Sequence, residues 1–105
     1  MRVLPDECLP RKLKVHIVPD LAQTVPEAGW AGKQNGELLR LAEQDFDVLV
    51  TNDQNIQHQQ VVSRFDLAFV VLVAHTNDIV DLLPSMPELN RIIPTFETGT
   101  IEYVR

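Results

Sequence analysis

Short apolar segments alternate along the chain with segments whose apolar residues recur at helical spacing. The apolar stretch 2–4, which ends at two carboxylates, predicts a first strand. Residues 9–17 repeat an apolar side chain at every fourth position and predict a helix with Pro10 at its first position. Residues 21–25 predict a second strand before Pro26, and the segment 27–32 fits either a loop or a short helix.

The central part of the chain carries the clearest pattern. Asn35 is a good N-cap for a helix that runs to about Gln44 with apolar residues on one face. The segments 47–53 and 67–73 are continuous apolar runs without alternation, which is typical of buried parallel strands.

Two prolines punctuate the C-terminal part. Asn77 or Asp78 opens a further helix, which Pro84 and Pro87 interrupt, and residues 88–93 continue as another helix. The alternating residues at 100–104 predict a last strand.

Strands that alternate with helices predict an α/β fold with a mainly parallel central sheet of four to five strands and helices on both faces. The length of 105 residues and the 45% apolar composition suit one domain spanning residues 1–105. In such sheets, ligands bind beyond the carboxyl ends of the strands, where the strand order reverses.

Charge and cysteine content narrow the functional classes. The net charge of −6 argues against a protein that holds nucleic acid through its overall field, so any RNA contact must be local. The one cysteine, Cys8, can form no internal disulfide, and no Cys/His spacing suggests zinc. We expect a cytoplasmic protein, because the sequence shows no signal peptide and no apolar run long enough to cross a membrane.

Two aspartates close predicted strands that should be neighbours. Asp6 follows the first strand and Asp53 the third, and the two carboxylates would repel each other unless a cation lay between them. Such a pair predicts a Mg²⁺ or Mn²⁺ site of oxygen ligands. Glu37, in the first turn of its helix, is the candidate third carboxylate. Asp6, Glu37 and Asp53 are therefore the candidate metal-binding and catalytic residues.

Each of these acids also has a structural explanation. Asp6 could cap the first helix, Asp53 could form an Asx-type turn, and the helix dipole favours Glu37 whether or not it binds a metal. Cys8 is expected to be a small buried group, and Trp30 to cover the core. Three histidines lack the spacing of metal ligands and are assigned no role: His16, His58 and His75.

Three segments together resemble an uncharacterised bacterial PIN-like family related to VapC-type toxins. They are residues 3–10, with Asp-Glu-x-Leu-Pro; residues 35–42; and residues 47–53, with Val-Thr-x-Asp. The resemblance covers nearly the whole chain. It implies a Mg²⁺-dependent ribonuclease that is the toxin of a toxin–antitoxin pair, with a small helix-turn-helix antitoxin as partner, and a homodimer. Asp6 and Asp53 match the family's metal-binding aspartates.

Two amides stand where many members of that family have aspartates: Asn35 and Asn55. An amide oxygen brings no charge to a metal, so the alternative hypothesis is a catalytically weakened PIN-like fold that acts as a protein-binding module. A phosphoacceptor receiver domain also has acids after its first and third strands, but it needs a lysine after its last strand. Lysine occurs in this chain only at positions 12, 14 and 33, all before the third predicted strand, so we set the receiver class aside.

Overall fold

The computed structural model describes residues 2–17, 21–33, 35–56, 61–76 and 78–105. Within these ranges the chain forms one five-stranded sheet of order β2-β1-β3-β4-β5, in which every neighbouring pair is parallel. The predicted α/β class and parallel sheet are therefore confirmed. The strands are β1 Arg2–Pro5, β2 Leu21–Ala22, β3 Val48–Thr51, β4 Ala68–Leu72 and β5 Ile101–Val104.

Helices connect the strands. The α-helices of the described ranges are α1 Asn35–Asp45, α2 Ile79–Leu82 and α3 Met86–Ile92. Short 3₁₀ helices occur at Arg11–His16, Val62–Arg64, Leu83–Ser85 and Ile93–Thr95. The predicted helix from Asn35 is confirmed to within one residue at its end. No helix in the described part of the chain combines the length and apolar character needed to cross a bilayer.

The two prolines of the C-terminal part act differently from each other. Pro84 lies in the 3₁₀ helix that separates α2 from α3, as an interruption requires. The prediction that Pro87 also interrupts the helix is wrong, because α3 begins at Met86 and Pro87 lies in its first turn. An N–H has no intrahelical partner there, so proline is tolerated.

Two predicted boundaries near the N-terminus are wrong. The helix predicted over 9–17 is a 3₁₀ helix that begins only at Arg11, and Pro10 precedes it in an extended conformation. Its backbone hydrogen bonds join residues three apart, as in a 3₁₀ helix, and not four apart as in an α-helix. The N–H of Leu13, for example, donates to the carbonyl of Pro10 at 3.0 Å. The second strand ends at Ala22, since the Glu27 side chain takes up the backbone N–H of Thr24 at 2.9 Å.

Side chains of the strands alternate between two cores, one on each face of the sheet. Val48 and Val50 contact the core formed with the 3₁₀ helix Arg11–His16, α2 and α3, whereas Leu49 faces the core formed with α1. Helices therefore cover both faces, as predicted. Trp30 is partly buried against the second core, and its ring meets that of Phe46 edge-on at 5.8 Å.

A tight turn delivers the chain to the edge strand β5. Gly99 has a φ of +79°, a conformation that side-chain-bearing residues rarely adopt. Its N–H donates to the carbonyl of Leu67 at 2.7 Å, which fixes the start of β5 beside β4.

Candidate metal site at the ends of β1 and β3

The strand order reverses between β1 and β3. The chain passes from β1 outward to β2 and then crosses to β3 on the other side of β1, so the crevice in which such sheets bind ligands is expected at the carboxyl ends of β1 and β3. Asp6 follows β1 directly, and Asp53 lies two residues beyond β3. The N–H of Asp6 donates to the carbonyl of Val50 at 2.8 Å, which extends the pairing of the two strands to the candidate site.

A single buried hydroxyl joins the two aspartates. Thr51, the last residue of β3, is fully buried. Its Oγ1 donates to Oδ2 of Asp6 at 3.0 Å and accepts the backbone N–H of Asp53 at 3.1 Å. Sequence reasoning did not identify this residue, although a polar side chain at the end of an otherwise apolar strand was a usable signal. Thr51 therefore positions both segments that carry the candidate ligands.

The remaining contacts of Asp6 are local. Its Oδ1 accepts the N–H of Glu7 at 2.8 Å, and its carbonyl accepts the N–H of Leu9 at 3.0 Å. These bonds form a turn between β1 and the extended residue Pro10. The proposed helix-capping role of Asp6 is wrong, because the 3₁₀ helix starts only at Arg11 and its capping position is Pro10.

Cys8 belongs to the same cluster and is exposed, so its predicted burial as a small apolar residue is wrong. Its Sγ donates to Oδ2 of Asp6 at 3.5 Å and lies 3.5 Å from Oγ1 of Thr51. Partial burial of the sulfur raises the pKa of the thiol above its ordinary value of 9.0, although hydrogen bonds from the Asn52 backbone and Thr51 oppose this. The negative charge of Asp6 adds to the rise in pKa.

Asp53 forms the Asx-type turn that was one explanation for it. Its Oδ1 accepts the N–H of Asn55 at 2.9 Å, and its carbonyl accepts the N–H of Ile56 at 3.3 Å. Its Oδ2 accepts no hydrogen bond from any residue of the described ranges. Among the described residues, the turn therefore engages only Oδ1 of the Asp53 carboxylate.

Glu37 has a different environment. It is exposed in the first turn of α1, and its carboxylate pairs with Nζ of Lys33 at 2.8 Å. The described residues contain no group of three or more His, Cys, Asp or Glu side chains placed to hold a metal, so Glu37 does not complete a cluster with Asp6 and Asp53.

Other residues singled out in the sequence lie away from this arrangement or beyond the described structure. His16 and His75 are exposed, His58 and Asn77 lie outside the described residues, and the side chain of Asn35 is likewise not described.

The chemistry of Asp6 and Asp53 suits a small hard cation. Mg²⁺ and Mn²⁺ prefer oxygen ligands, and Mg²⁺ commonly binds through one or two carboxylates and completes its shell with water and substrate phosphates. The carboxylates that follow β1 and β3 offer such donors, with Asp6 held by Thr51 and Asp53 held by its own turn.

A larger cavity lies elsewhere in the described part of the chain. It has a volume of about 660 Å³ and lies between α3 and the edge strand β5, with Glu88, Arg91, Glu102 and Tyr103 in its walls. None of the candidate site residues lines it. A smaller pocket of about 100 Å³ is lined by Asp6.

Comparison of the chain with protein-family models, with curated proteins and with solved structures gives no match.

Proposed function

We propose that this protein is a Mg²⁺- or Mn²⁺-dependent ribonuclease of the PIN-like type, with Asp6 and Asp53 as its metal ligands. One observation carries the proposal. The hydroxyl of Thr51 binds the Asp6 carboxylate and the Asp53 backbone at the point where the strand order reverses, which is where parallel α/β sheets bind ligands. The sequence resemblance to PIN-like ribonucleases supports the same assignment.

The chain's own residues bind and orient the reacting groups. A divalent ion bound there would polarise the scissile phosphate and supply a nucleophile at neutral pH. Asp6 presents Oδ2 in a direction that Thr51 fixes, and Asp53 presents the oxygen that its turn leaves unused. Without a cation, both carboxylates would repel the phosphates of an RNA strand, so we expect RNA cleavage to depend strictly on added metal.

Glu37 stays the candidate third carboxylate. Its ion pair with Lys33 is exposed on both sides, and exposed pairs of this kind contribute only about 0.2–1 kcal/mol, so opening it costs little. If Glu37 joins the site when metal and RNA bind, Glu37→Gln will lower RNA cleavage more than it lowers Mn²⁺ affinity in the absence of RNA.

Calorimetry with Mn²⁺, followed by cleavage of a mixed-sequence RNA, tests the proposal. We expect Asp6→Asn and Asp53→Asn each to abolish binding and cleavage. Asp45→Asn is the matched control, since it makes the same charge change at an exposed residue that ends α1. Metal affinity that is equal in all three variants, or no binding at millimolar Mn²⁺, would contradict the proposed site.

A second candidate is a PIN-like binding module without turnover. The hydrogen bonds of the two aspartates favour this candidate, because each carboxylate already has a structural role. Oδ1 of Asp53 accepts the N–H of Asn55 in the turn, and Oδ2 of Asp6 accepts the hydroxyl of Thr51. Metal binding without RNA cleavage by the isolated protein would support this candidate over the nuclease.

The resemblance also extends the proposal to the protein's surroundings. We expect a homodimer in the cytoplasm whose activity a helix-turn-helix antitoxin-like partner restrains by covering the crevice. Light scattering on the purified protein tests the dimer, and a mass that stays near the 11.9 kDa of one chain across micromolar concentrations would contradict it.

A further inference from the structure

Basic residues are concentrated beside the acidic crevice. The sequence is acidic overall, with nine basic against fifteen acidic residues. Three of those nine lie on the 3₁₀ helix Arg11–His16, which follows the Asp6 turn and carries no acid: Arg11, Lys12 and Lys14. This helix therefore supplies positive charge for a local contact with phosphates close to the candidate metal site.

A groove leads from Asp6 along this helix. It consists of two adjoining pockets of about 100 and about 230 Å³, of which the first is lined by the acids Asp6 and Glu7 and the second by Lys14 and its partner Glu27. Arg11, Thr24 and Pro26 line both pockets and so connect them. Pockets for drug-sized small molecules measure roughly 300–1,000 Å³. Each of the two pockets alone is smaller than this, so the groove better suits a strand that lies along the surface and passes both pockets in turn.

The two cations of the groove differ in their availability. Lys14 donates to both carboxylate oxygens of Glu27 at 2.9 Å, so its charge is already compensated. The N–H of Thr24 and the Lys14 ammonium together lower the pKa of Glu27 to about 2, which keeps this partner ionised. Arg11 is exposed and makes no ion pair with any described residue. Among the described residues, its guanidinium is thus the uncompensated positive group in the wall of the pocket that Asp6 lines.

We infer that Arg11 binds a backbone phosphate of single-stranded RNA, next to the phosphate that a divalent ion at Asp6 and Asp53 would hold, and that the strand follows the groove toward Lys14. This inference rests on the proposed ribonuclease function. A planar guanidinium suits the paired oxygens of a phosphate, and phosphate contacts set the register of a nucleic acid without reading its sequence. Arg11 is therefore a substrate-binding residue, separate from the metal ligands.

Binding of a fluorescent ten-nucleotide RNA, measured by anisotropy with Ca²⁺ in place of Mn²⁺ so that a cation offsets the repulsion by the two carboxylates, tests the inference. Arg11→Gln is compared with Lys12→Gln, which removes the same charge from the neighbouring exposed residue that lines neither pocket. We expect Arg11→Gln to weaken binding about tenfold and to reduce the salt-dependence slope by about 0.7, as the loss of one phosphate contact on a single strand should. Lys12→Gln should change either quantity by less than about twofold, and Arg11→Lys should retain part of the affinity because it keeps the charge.

The outcomes separate this inference from the proposed function. Equal effects of Arg11→Gln and Lys12→Gln, or no RNA binding by the wild-type protein, would overturn the role of Arg11. Mn²⁺ calorimetry on Arg11→Gln should match the wild type, since Arg11 holds no metal. A selective loss of RNA binding in Arg11→Gln supports the inference even if no variant binds Mn²⁺. Absence of Mn²⁺ binding would contradict the proposed nuclease function and leave the role of Arg11 in RNA binding standing.

Discussion

Replacing Thr51 by valine removes one buried hydroxyl and keeps nearly the same shape. The change deletes the 3.0 Å hydrogen bond to Asp6 and leaves the N–H of Asp53 without its 3.1 Å acceptor. A hydrogen bond to a charged group contributes about 1.5–3 kcal/mol. Asp6 is half-buried and water can replace part of its loss, so we expect Thr51→Val to lower the free energy of unfolding by about 1.5 kcal/mol.

Thr51→Ser is the matched control, because it keeps the hydroxyl and deletes the methyl group. At a fully buried position this deletion should cost about 1 kcal/mol, so stability alone separates the two variants poorly. Metal affinity separates them clearly. Loss of a group that orients a metal ligand typically costs about 10–100-fold in affinity, and we expect that loss in Thr51→Val and not in Thr51→Ser.

The assays are urea denaturation followed by circular dichroism, and Mn²⁺ calorimetry. A double-mutant cycle of Thr51→Val with Asp6→Asn should give a coupling energy of about 1 kcal/mol in unfolding, since the two side chains share a hydrogen bond. Independent, additive effects together with unchanged Mn²⁺ affinity in Thr51→Val would refute the role of the hydroxyl as the link between the two aspartates.

Three further predictions concern titration and backbone conformation. The Glu27 carboxyl should titrate near pH 2 by NMR, because the Thr24 N–H and Lys14 stabilise its ionised form. Since its pKa falls from 4.5 on folding, its contribution to stability is complete above pH 4.5 and is lost as the pH falls toward 2; Lys14→Met should raise that pKa, and an unchanged titration would contradict the pairing. Alkylation of Cys8 by iodoacetamide should have its pH midpoint above 9.0, and a midpoint at or below this value would contradict its partial burial. Gly99→Ala should cost about 1–2 kcal/mol because of the positive φ, and an unchanged thermal midpoint would show that the turn relaxes.

The sequence predicted the sheet and the proximity of Asp6 to Asp53 because both depend on local patterns. Continuous apolar runs marked β3 and β4, and each aspartate stood where its strand ends. Parallel strands bring their carboxyl ends to one edge, so the placement of both aspartates at the ends of the paired strands β1 and β3 followed from the strand assignment.

Other features depend on contacts between distant residues, which periodicity does not encode. Four-residue spacing in 9–17 predicts an α-helix, but only Leu13 lies in the 3₁₀ helix Arg11–His16, and Leu9 and Ile17 reach the same core from the residues that flank it. The length of β2 was set by the Glu27 side chain, which takes the N–H of Thr24. The role of Thr51 depends on Asp6, which lies 45 residues earlier in the chain.

That separation has a consequence for synthesis of the protein. The residues that present Asp6 in its final direction are not adjacent to it but arrive with β3, after the whole of α1. Consider a chain that is still emerging from the ribosome and has exposed β1 and α1 but not Val48–Thr51. In this chain Asp6 lacks both the hydroxyl of Thr51 and the second carboxylate, that of Asp53. The candidate metal site therefore cannot form before β3 has been synthesised and has paired with β1 at the centre of the sheet.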